Sequence, residues 1–296
     1  MRQGQIEEFA PAKVNLALHV TGQRADGYHL LDSLVVFADA GDRLTFSPSP
    51  EDRFTVSGRF GGALPLDSAP KTGNLVLRAR DALRALAESR GNSAPPVHIH
   101  LEKNLPVASG IGGGSADAAA TLRGLARFWG TGTDRPALHT IGLALGADVP
   151  MCIESRPLLA RGIGEDITLL ADFPTIYLLL VNALVGVSTP EVFRRLANKS
   201  SLPLDVPRDG APLEQWLGTL GAIRNDLQPG AETLEPVITE TLELIRTVDP
   251  MLARMSGSGG TCFGVYRTQT GLDRALAKLE VERPEWYVQG TATLQL

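Results

Sequence analysis

Gly110, Gly112, Gly113 and Gly114 put four glycines within five residues, and an alanine-rich stretch follows at once. Glycine has no Cβ, so successive backbone N–H groups can turn inward and approach an anion closely. A helix starting behind such a turn adds its free N–H groups and positive dipole end to the same field. The segment Leu105–Ala120 therefore reads as a phosphate cradle at a strand-to-helix junction. Ser115 stands where its hydroxyl can cap the helix, touch a phosphate oxygen or ligate a phosphate-bound Mg2+. A glycine turn without a ligand is the bland alternative, and four glycines at one junction disfavour it.

Two better-known phosphate loops fit less well. The P-loop needs G-x-x-x-x-G-K-[ST], and no lysine stands between Gly114 and Ser115. The dinucleotide fingerprint G-x-G-x-x-G accommodates Gly110 and Gly112 but finds Ser115 in its third place. Its ribose-binding acid should follow about 20 residues on. Asp134 is near that distance, yet it lies in a Thr/Gly/Pro loop.

Three other clusters carry chemistry-bearing side chains. In Pro11–Leu18, period two puts Lys13 and Asn15 on one strand face and Val14 and Leu16 on the other. An ammonium buried there would need an anionic partner; an edge strand with its polar face in water is an equal alternative. Asp148 follows Gly146 and precedes Val149-Pro150. A turn or cap aspartate is the usual explanation, and a carboxylate that orients a hydroxyl and accepts its proton is the functional one. Asp26-Gly27-Tyr28-His29 sets an aromatic ring beside an imidazole, as a base-stacking platform would, although any hairpin can carry that pair.

These residues must be positioned by a chain of 296 amino acids, long enough for two domains. With 43% hydrophobic and 21% charged residues it has the make-up of a globular protein. Its 28 basic and 33 acidic side chains leave a net charge of -5, so no global field draws nucleic acid and local donors must hold any anion. Cys152 and Cys262 form neither a disulfide framework nor a zinc pattern and read as buried hydrophobes of a reducing compartment. His98 and His100 alternate on one strand face without metal-site company. Glu7 and Glu8 interrupt any apolar start, and the longest apolar run, Ile176–Val187, is too short to span a bilayer. A cytoplasmic protein is expected, monomeric or homodimeric, with small-molecule partners and no nucleic acid or membrane.

Hydrophobic periodicity predicts strands at Ile6–Phe9, Val14–Val20, Leu34–Ala38, Asp42–Ser47, Phe54–Val56 and Val97–Leu101. Helices are predicted at Asn74–Ser89, Ser115–Trp129 and Pro136–Leu145, the last stopped by Gly146. Gly61–Lys71 reads as a loop. A second region opens near Ile167, with strands at Ile176–Val181, Arg254–Met255, Cys262–Tyr266 and Trp286–Leu294. Its helices are placed at Pro190–Leu196, Pro236–Val248 and Leu272–Leu279, and Asn198–Ala211 reads as a flexible connection. A second glycine turn occupies Ser256–Thr261. Mixed helices with largely antiparallel strands indicate an α+β protein, divided as 1–166 and 167–296.

Taken together, Pro11-Ala-Lys13-x-Asn15, Gly22-Gln-Arg-Ala-Asp-Gly27-Tyr28-His29, Pro106-x-x-x-Gly-x-Gly-Gly-Gly-Ser115, Gly146-Ala-Asp148-Val-Pro and Gly257-Ser-Gly-Gly260 resemble the GHMP kinases. The motifs run through almost the whole chain. The resemblance implies an N-terminal ATP-binding domain like ribosomal protein S5 domain 2, with a left-handed βαβ feature, and a C-terminal ferredoxin-like domain. It implies ATP and Mg2+, with the active site in the cleft between the domains. ATP contacts are implied for Pro106, Val107, Ala108, Ser109, Gly110, Ile111, Gly112, Gly113, Gly114, Ser115 and Ala116, and are extended to Lys103 and Asn74. Lys13 and Asp148 take the catalytic roles, and Ser115 is the candidate metal contact. Asn15, Tyr28, His29 and Thr189 are implied on the acceptor side. The Gly-Tyr-His turn is similar to the branch that phosphorylates a hydroxyl of a cytidylated polyol, the 2-hydroxyl, in non-mevalonate isoprenoid synthesis. A homoserine- or mevalonate-type kinase is the alternative within the family. A dinucleotide oxidoreductase and a passive nucleotide-binding regulator are alternatives outside it. One departure stands out: Ala116-Asp117 replaces the family's frequent Ser-Asn, trading a hydroxyl for a charge near the phosphates.

Overall fold

The computed structural model describes residues 4–64, 66–67 and 73–294, so the expected loop at 61–71 lies partly outside them. Two compact units emerge: residues 1–12, 41–107 and 112–154 form the first, and 13–40, 108–111 and 155–296 the second. This interleaving differs from the consecutive division at 166/167, and the cause is the length of the first two strands. β1 (Ile6–Gln23) and β2 (His29–Pro48) each run through both units. The breaks expected inside them, between Phe9 and Val14 and between Ala38 and Asp42, do not form. Gly41 is there for close approach instead: a Cβ on it would lie 2.3 Å from the Ala10 carbonyl oxygen.

In the first unit β3 (Arg53–Ser57), α1 (Leu75–Ser89) and β4 (Val97–Glu102) make a βαβ crossover whose strands pair in parallel, Phe54 opposite Ile99. β4 pairs antiparallel with the far end of β2, Leu44 opposite Leu101. Val97, Ile99 and Leu101 alternate inward with Leu44 and Phe46 to form the sheet's buried face. Against it lies α2 (Gly113–Phe128), whose Ala118, Ala119, Leu122 and Leu125 are buried. Gly124 is obligatory, because a Cβ would come within 2.3 Å of the Phe46 ring. α3 (Arg135–Leu145) ends at Gly146 as expected, but that residue is extended at φ 175°, so it is not a left-handed cap. A short helix absent from the sequence reading, α4 (Val149–Glu154), follows. Arg123 of α2 pins it by donating to the Cys152 carbonyl at 2.8 Å and to the Phe9 carbonyl at 2.9 Å.

The second unit contains the near part of β2 paired with β5 (Leu158–Gly162), which continues through a tight turn to β6 (Asp166–Leu169). β7 (Tyr177–Asn182) then enters a four-stranded antiparallel sheet. α5 (Thr189–Arg194), α6 (Leu213–Ala222), α7 (Gln228–Leu234) and α8 (Val237–Arg246) precede β8 (Leu252–Met255) and β9 (Thr261–Tyr266). α9 (Gln269–Glu282) and β10 (Tyr287–Ala292) complete it. The spatial order β10-β7-β9-β8 is the ferredoxin-like arrangement. Its core joins Leu179 and Val181 to Leu242, Ile245, Leu272 and Leu279. The stretch 198–211 forms no regular element, yet it is held to its surroundings. Ser201 donates to the Val20 carbonyl at 2.9 Å, and the Leu204 amide donates to Asp32 at 3.0 Å.

Candidate active site

The glycine loop is built by backbone hand. Ala108, Gly110 and Gly112 have φ of 52°, 74° and 67°. Left-handed residues spaced in this way point neighbouring N–H groups to a common side, the geometry of an anion nest. Ala108 holds the conformation despite its Cβ, at a cost of about 1 kcal/mol, and strain of this kind concentrates at functional sites. Gly112 is the residue that caps α2, with no side-chain bond, so the helix starts at Gly113 and Ser115 is its third residue. Ser115 is therefore not the cap, and its half-buried hydroxyl belongs to the exposed mouth of the helix together with Gly114. Pro106 is buried, while Val107 and Ala108 are exposed.

Within the second unit, Ser109, Gly110 and Ile111 are locked to β1 and to the turn at 256–261. Lys13 donates its amide to the Ile111 carbonyl at 2.9 Å, and Thr261 donates its own to the Ser109 carbonyl at 3.0 Å. A Cβ on Gly110 would meet the Gly259 carbonyl oxygen at 2.3 Å. Only glycine permits this interlock. Lys13 is buried, and its ammonium donates to Asn15 Oδ1 at 2.9 Å. Asn15 Nδ2 donates in turn to Ser33 Oγ at 2.7 Å, and that hydroxyl donates to the Ala17 carbonyl at 2.7 Å. Ser256 Oγ receives the Asn15 amide at 3.1 Å. Ser33 and Ser256, which the sequence reading passed over, thus fix the Asn15 side chain and main chain. Lys13 and Asn15 do share one face, as strand periodicity predicted, and that face is buried instead of lying at a wet edge.

The 24–28 turn that joins β1 to β2 leaves Tyr28 60% exposed. His29 stacks on Phe193 of α5, with ring centroids 4.8 Å apart and planes 24° from parallel. Burial lowers the His29 pKa, and the Lys199 charge lowers it further, so the imidazole is neutral at pH 7. Its Nε2 is buried without a hydrogen-bond partner among the described residues. Phe193 was missed because a phenylalanine in an amphipathic helix reads as core. Thr189 is exposed at the start of α5 and shares a hydrogen bond with Ser258 Oγ at 2.7 Å, which ties it to the second glycine turn.

Three expectations in the first unit take a different form. Lys103, expected among the ATP contacts, is buried with its ammonium 2.5 Å from Asp42 and 2.6 Å from Asp117, so both carboxylates hold it inside. Asn74 caps α1, its Oδ1 accepting the Val76 amide at 2.9 Å, which commits the oxygen to the helix. Asp117 is not in the first turn of α2 but one turn further, facing Lys103, so it places no charge at the helix mouth. Asp134 caps α3 by accepting the Ala137 amide at 3.1 Å, which removes the ribose-binding acid a dinucleotide enzyme requires. Asp148 is half-buried immediately before α4, where its carbonyl accepts the Cys152 amide. No group of three His, Cys, Asp or Glu side chains among the described residues is placed to hold a metal. The Ser115 hydroxyl, half-buried in the mouth of α2, is of the donor chemistry that a phosphate-bound Mg2+ accepts. Cys152 and Cys262 are both buried and unbridged. No helix among the described residues is long and apolar enough to cross a membrane.

Residues 74–156 match the model of the GHMP kinases N terminal domain, and residues 198–283 match that of GHMP kinases C terminal. Over 289 residues the chain is 56% identical to a 4-diphosphocytidyl-2-C-methyl-D-erythritol kinase of Rhizobium etli (strain CIAT 652), covering 98% of this chain and 95% of that one. It is 54% identical to the kinase of the same name from Agrobacterium fabrum (strain C58 / ATCC 33970), covering 97% and 96%. The solved structure of a 4-(cytidine 5'-diphospho)-2C-methyl-D-erythritol kinase matches with a TM-score of 0.79 at 30% identity, over 97% and 98% of the two chains. A homoserine kinase from Cytophaga hutchinsonii matches at 0.70 with 17% identity, over 100% and 96%, and so shares the fold. The chain belongs to the GHMP kinase family and is an ATP-dependent kinase.

Proposed function

We propose that this kinase phosphorylates the 2-hydroxyl of 4-diphosphocytidyl-2-C-methyl-D-erythritol, a step in non-mevalonate isoprenoid precursor synthesis. The observation that carries the reading is the ring cluster of the first hairpin: exposed Tyr28 beside a neutral His29 that stacks on Phe193. Such a cluster offers a pyrimidine a stacking face and an imidazole able both to donate and to accept. A homoserine or mevalonate acceptor has no use for it. The relatives above half identity carry the cytidylated acceptor in their names, which supports the same choice.

In this reading the phosphates of ATP lie along the loop from Pro106 to Ala116, where the backbone N–H groups of the nest and of the α2 N-terminus face them. Mg2+ neutralises phosphate charge when bound, with Ser115 as its contact from the chain. Asp148 orients the acceptor hydroxyl and takes its proton as that oxygen attacks the γ-phosphorus and the bond to the β-phosphate bridge breaks, releasing ADP. Lys13 stabilises the charge developing on the transferred group, and Asn15 fixes the direction of its ammonium. Thr189, held by Ser258, steadies the acceptor end. Positioning and charge stabilisation carry most of the acceleration, because the transition state of phosphoryl transfer is loose. The test is ADP release with ATP and Mg2+ against a panel of homoserine, mevalonate and the cytidylated polyol. Turnover on the cytidylated polyol alone is expected; turnover on either other acceptor with none on this one removes the assignment.

A further inference from the structure

Lys103, Asp42 and Asp117 form a buried ion cluster in the first unit that the proposed chemistry does not use. Lys103 directly follows β4, Asp42 comes from β2 and Asp117 from the second turn of α2. Asp42 is densely satisfied: Oδ2 takes the Lys103 ammonium at 2.5 Å, while Oδ1 takes the amides of Asn104 and Leu105 at 2.6 and 2.8 Å. Those two amides belong to the residues that lead directly into the glycine loop at Pro106. On the other side of the loop, Asp117 Oδ2 holds the same ammonium at 2.6 Å. A Cβ on Gly113, the first residue of α2, would lie 3.1 Å from the Lys103 nitrogen. One ammonium therefore fastens the chain entering the loop to the helix leaving it.

We propose that the Lys103–Asp42–Asp117 cluster is the positioning element of the phosphate loop: it sets the separation of Leu105 and Gly113, and through that the aim of the loop amides. The inference rests on reading this loop as the ATP phosphate site. Buried ion pairs add little net stability against apolar replacements of the same shape, because desolvation offsets the attraction. Fixing a register is their best-attested use, and here the register is that of the two loop flanks. Asp117 Oδ1 is buried with no hydrogen-bond partner among the described residues, so the cluster is not arranged for maximal satisfaction. The one acid of α4, Glu154, is held by Arg135 and His139, and α1 directs Arg80 and Arg84 to Asp52 and Asp81.

The test compares steady-state constants of the parent enzyme and three cluster variants for both substrates. Lys103→Met, which matches the stem without the charge, is expected to raise KM for ATP about tenfold or more and to leave KM for the cytidylated acceptor within twofold. Should Lys103→Met fail to fold, Asp117→Ala gives the same readout, since Lys103 then keeps Asp42 and one neutral pair remains. Asp117→Asn, which still accepts from Lys103, is expected to restore KM for ATP to within about threefold of the parent. A folded Lys103→Met or Asp117→Ala enzyme with unchanged KM for ATP, or with both KM values raised equally, overturns the proposal. Gly114→Val separates this failure from that of the underlying reading: it places a side chain in the loop mouth and should raise KM for ATP. If Gly114→Val leaves KM for ATP unaltered, the phosphate assignment of the loop falls and the positioning role falls with it.

Discussion

Each compact unit buries a cation beside its glycine turn, and the two are held in opposite ways. In the first unit Lys103 sits between two carboxylates. Burial pulls its pKa down, but Asp117 and Asp42 outweigh burial and leave it raised. In the second unit Arg254, two residues ahead of Ser256, pairs with no carboxylate among the described residues; it donates to the carbonyls of Leu16, Leu220 and Ile223. Burial there lowers the guanidinium to about 10, still far above neutrality. The contrast shows why the residue types differ. A lysine in a carbonyl-only pocket would risk losing its proton, whereas arginine keeps its charge and spreads several donors over the end of α6 and over β1. Lysine serves where compact charge must be gripped by acids. Both cations are spent on architecture, whereas Lys13, which donates to the Asn15 amide oxygen, is the cation proposed to act in the chemistry.

The largest effect expected from breaking this division belongs to the chemical side. Asp148→Asn should lower kcat by about 10²–10⁴ while nucleotide binding, followed by titration with ATP, stays close to the parent value; unchanged turnover would remove the general-base role. Arg254→Met comes next. Three carbonyls lose a charged donor, and at roughly 1–3 kcal/mol for each buried group left unsatisfied the loss should reach about 3 kcal/mol in urea unfolding. A loss under about 0.5 kcal/mol would mean that water replaces the guanidinium and that the staple is dispensable. Tyr28→Ala should raise KM for the cytidylated acceptor about tenfold, as loss of one stacked base does, with KM for ATP unmoved; equal shifts would dissolve the pyrimidine platform.

The subtlest signal is a slope. Burial, helped by the Asp42 charge and opposed by Lys103, pushes Asp117 from 3.8 up to about 8. Between those values the folded protein holds a proton that the unfolded chain has released, so this group's contribution to stability falls as pH rises from about 4 to about 8. Asp117→Asn should flatten that part of the pH dependence, gaining on the parent as pH increases and matching it below pH 4. Thermal unfolding at pH 4, 6 and 8 measures this. Parallel curves for the two proteins would show that Asp117 is ionised throughout.

What the sequence made legible follows from the kind of signal each feature emits. The glycine loop, the Lys13/Asn15 face and the helix after the loop were visible because backbone permissiveness and period two are local properties. The full lengths of β1 and β2 were not: Gly41 read as a turn residue, and only the approach of Ala10 to Gly41 reveals a continuing strand. The β5–β6 hairpin and helices α4, α6 and α7 were missed as well. At the site, Lys103 looked like a phosphate ligand because its two acids lie 61 and 14 residues away in sequence. Asn74, expected on the adenine side, and Asp134, near the spacing of a ribose-binding acid, each accept a helix amide as a cap. Ser33 and Phe193 emit no local signal at all, and Ser256 was visible only as the first residue of the second glycine turn.

The meeting of Gly110 with Gly259 carries a consequence for how this enzyme can change. A methyl group on Gly110 would meet the Gly259 carbonyl oxygen at 2.3 Å, and one on Gly257 would meet the Gly110 carbonyl oxygen at 2.9 Å, so drift in either turn is vetoed by the other although about 150 residues of chain intervene. Anyone wishing to graft a different nucleotide preference onto this scaffold must transplant both turns as a matched set, since a donor loop brought in alone would arrive without the surface it is moulded against.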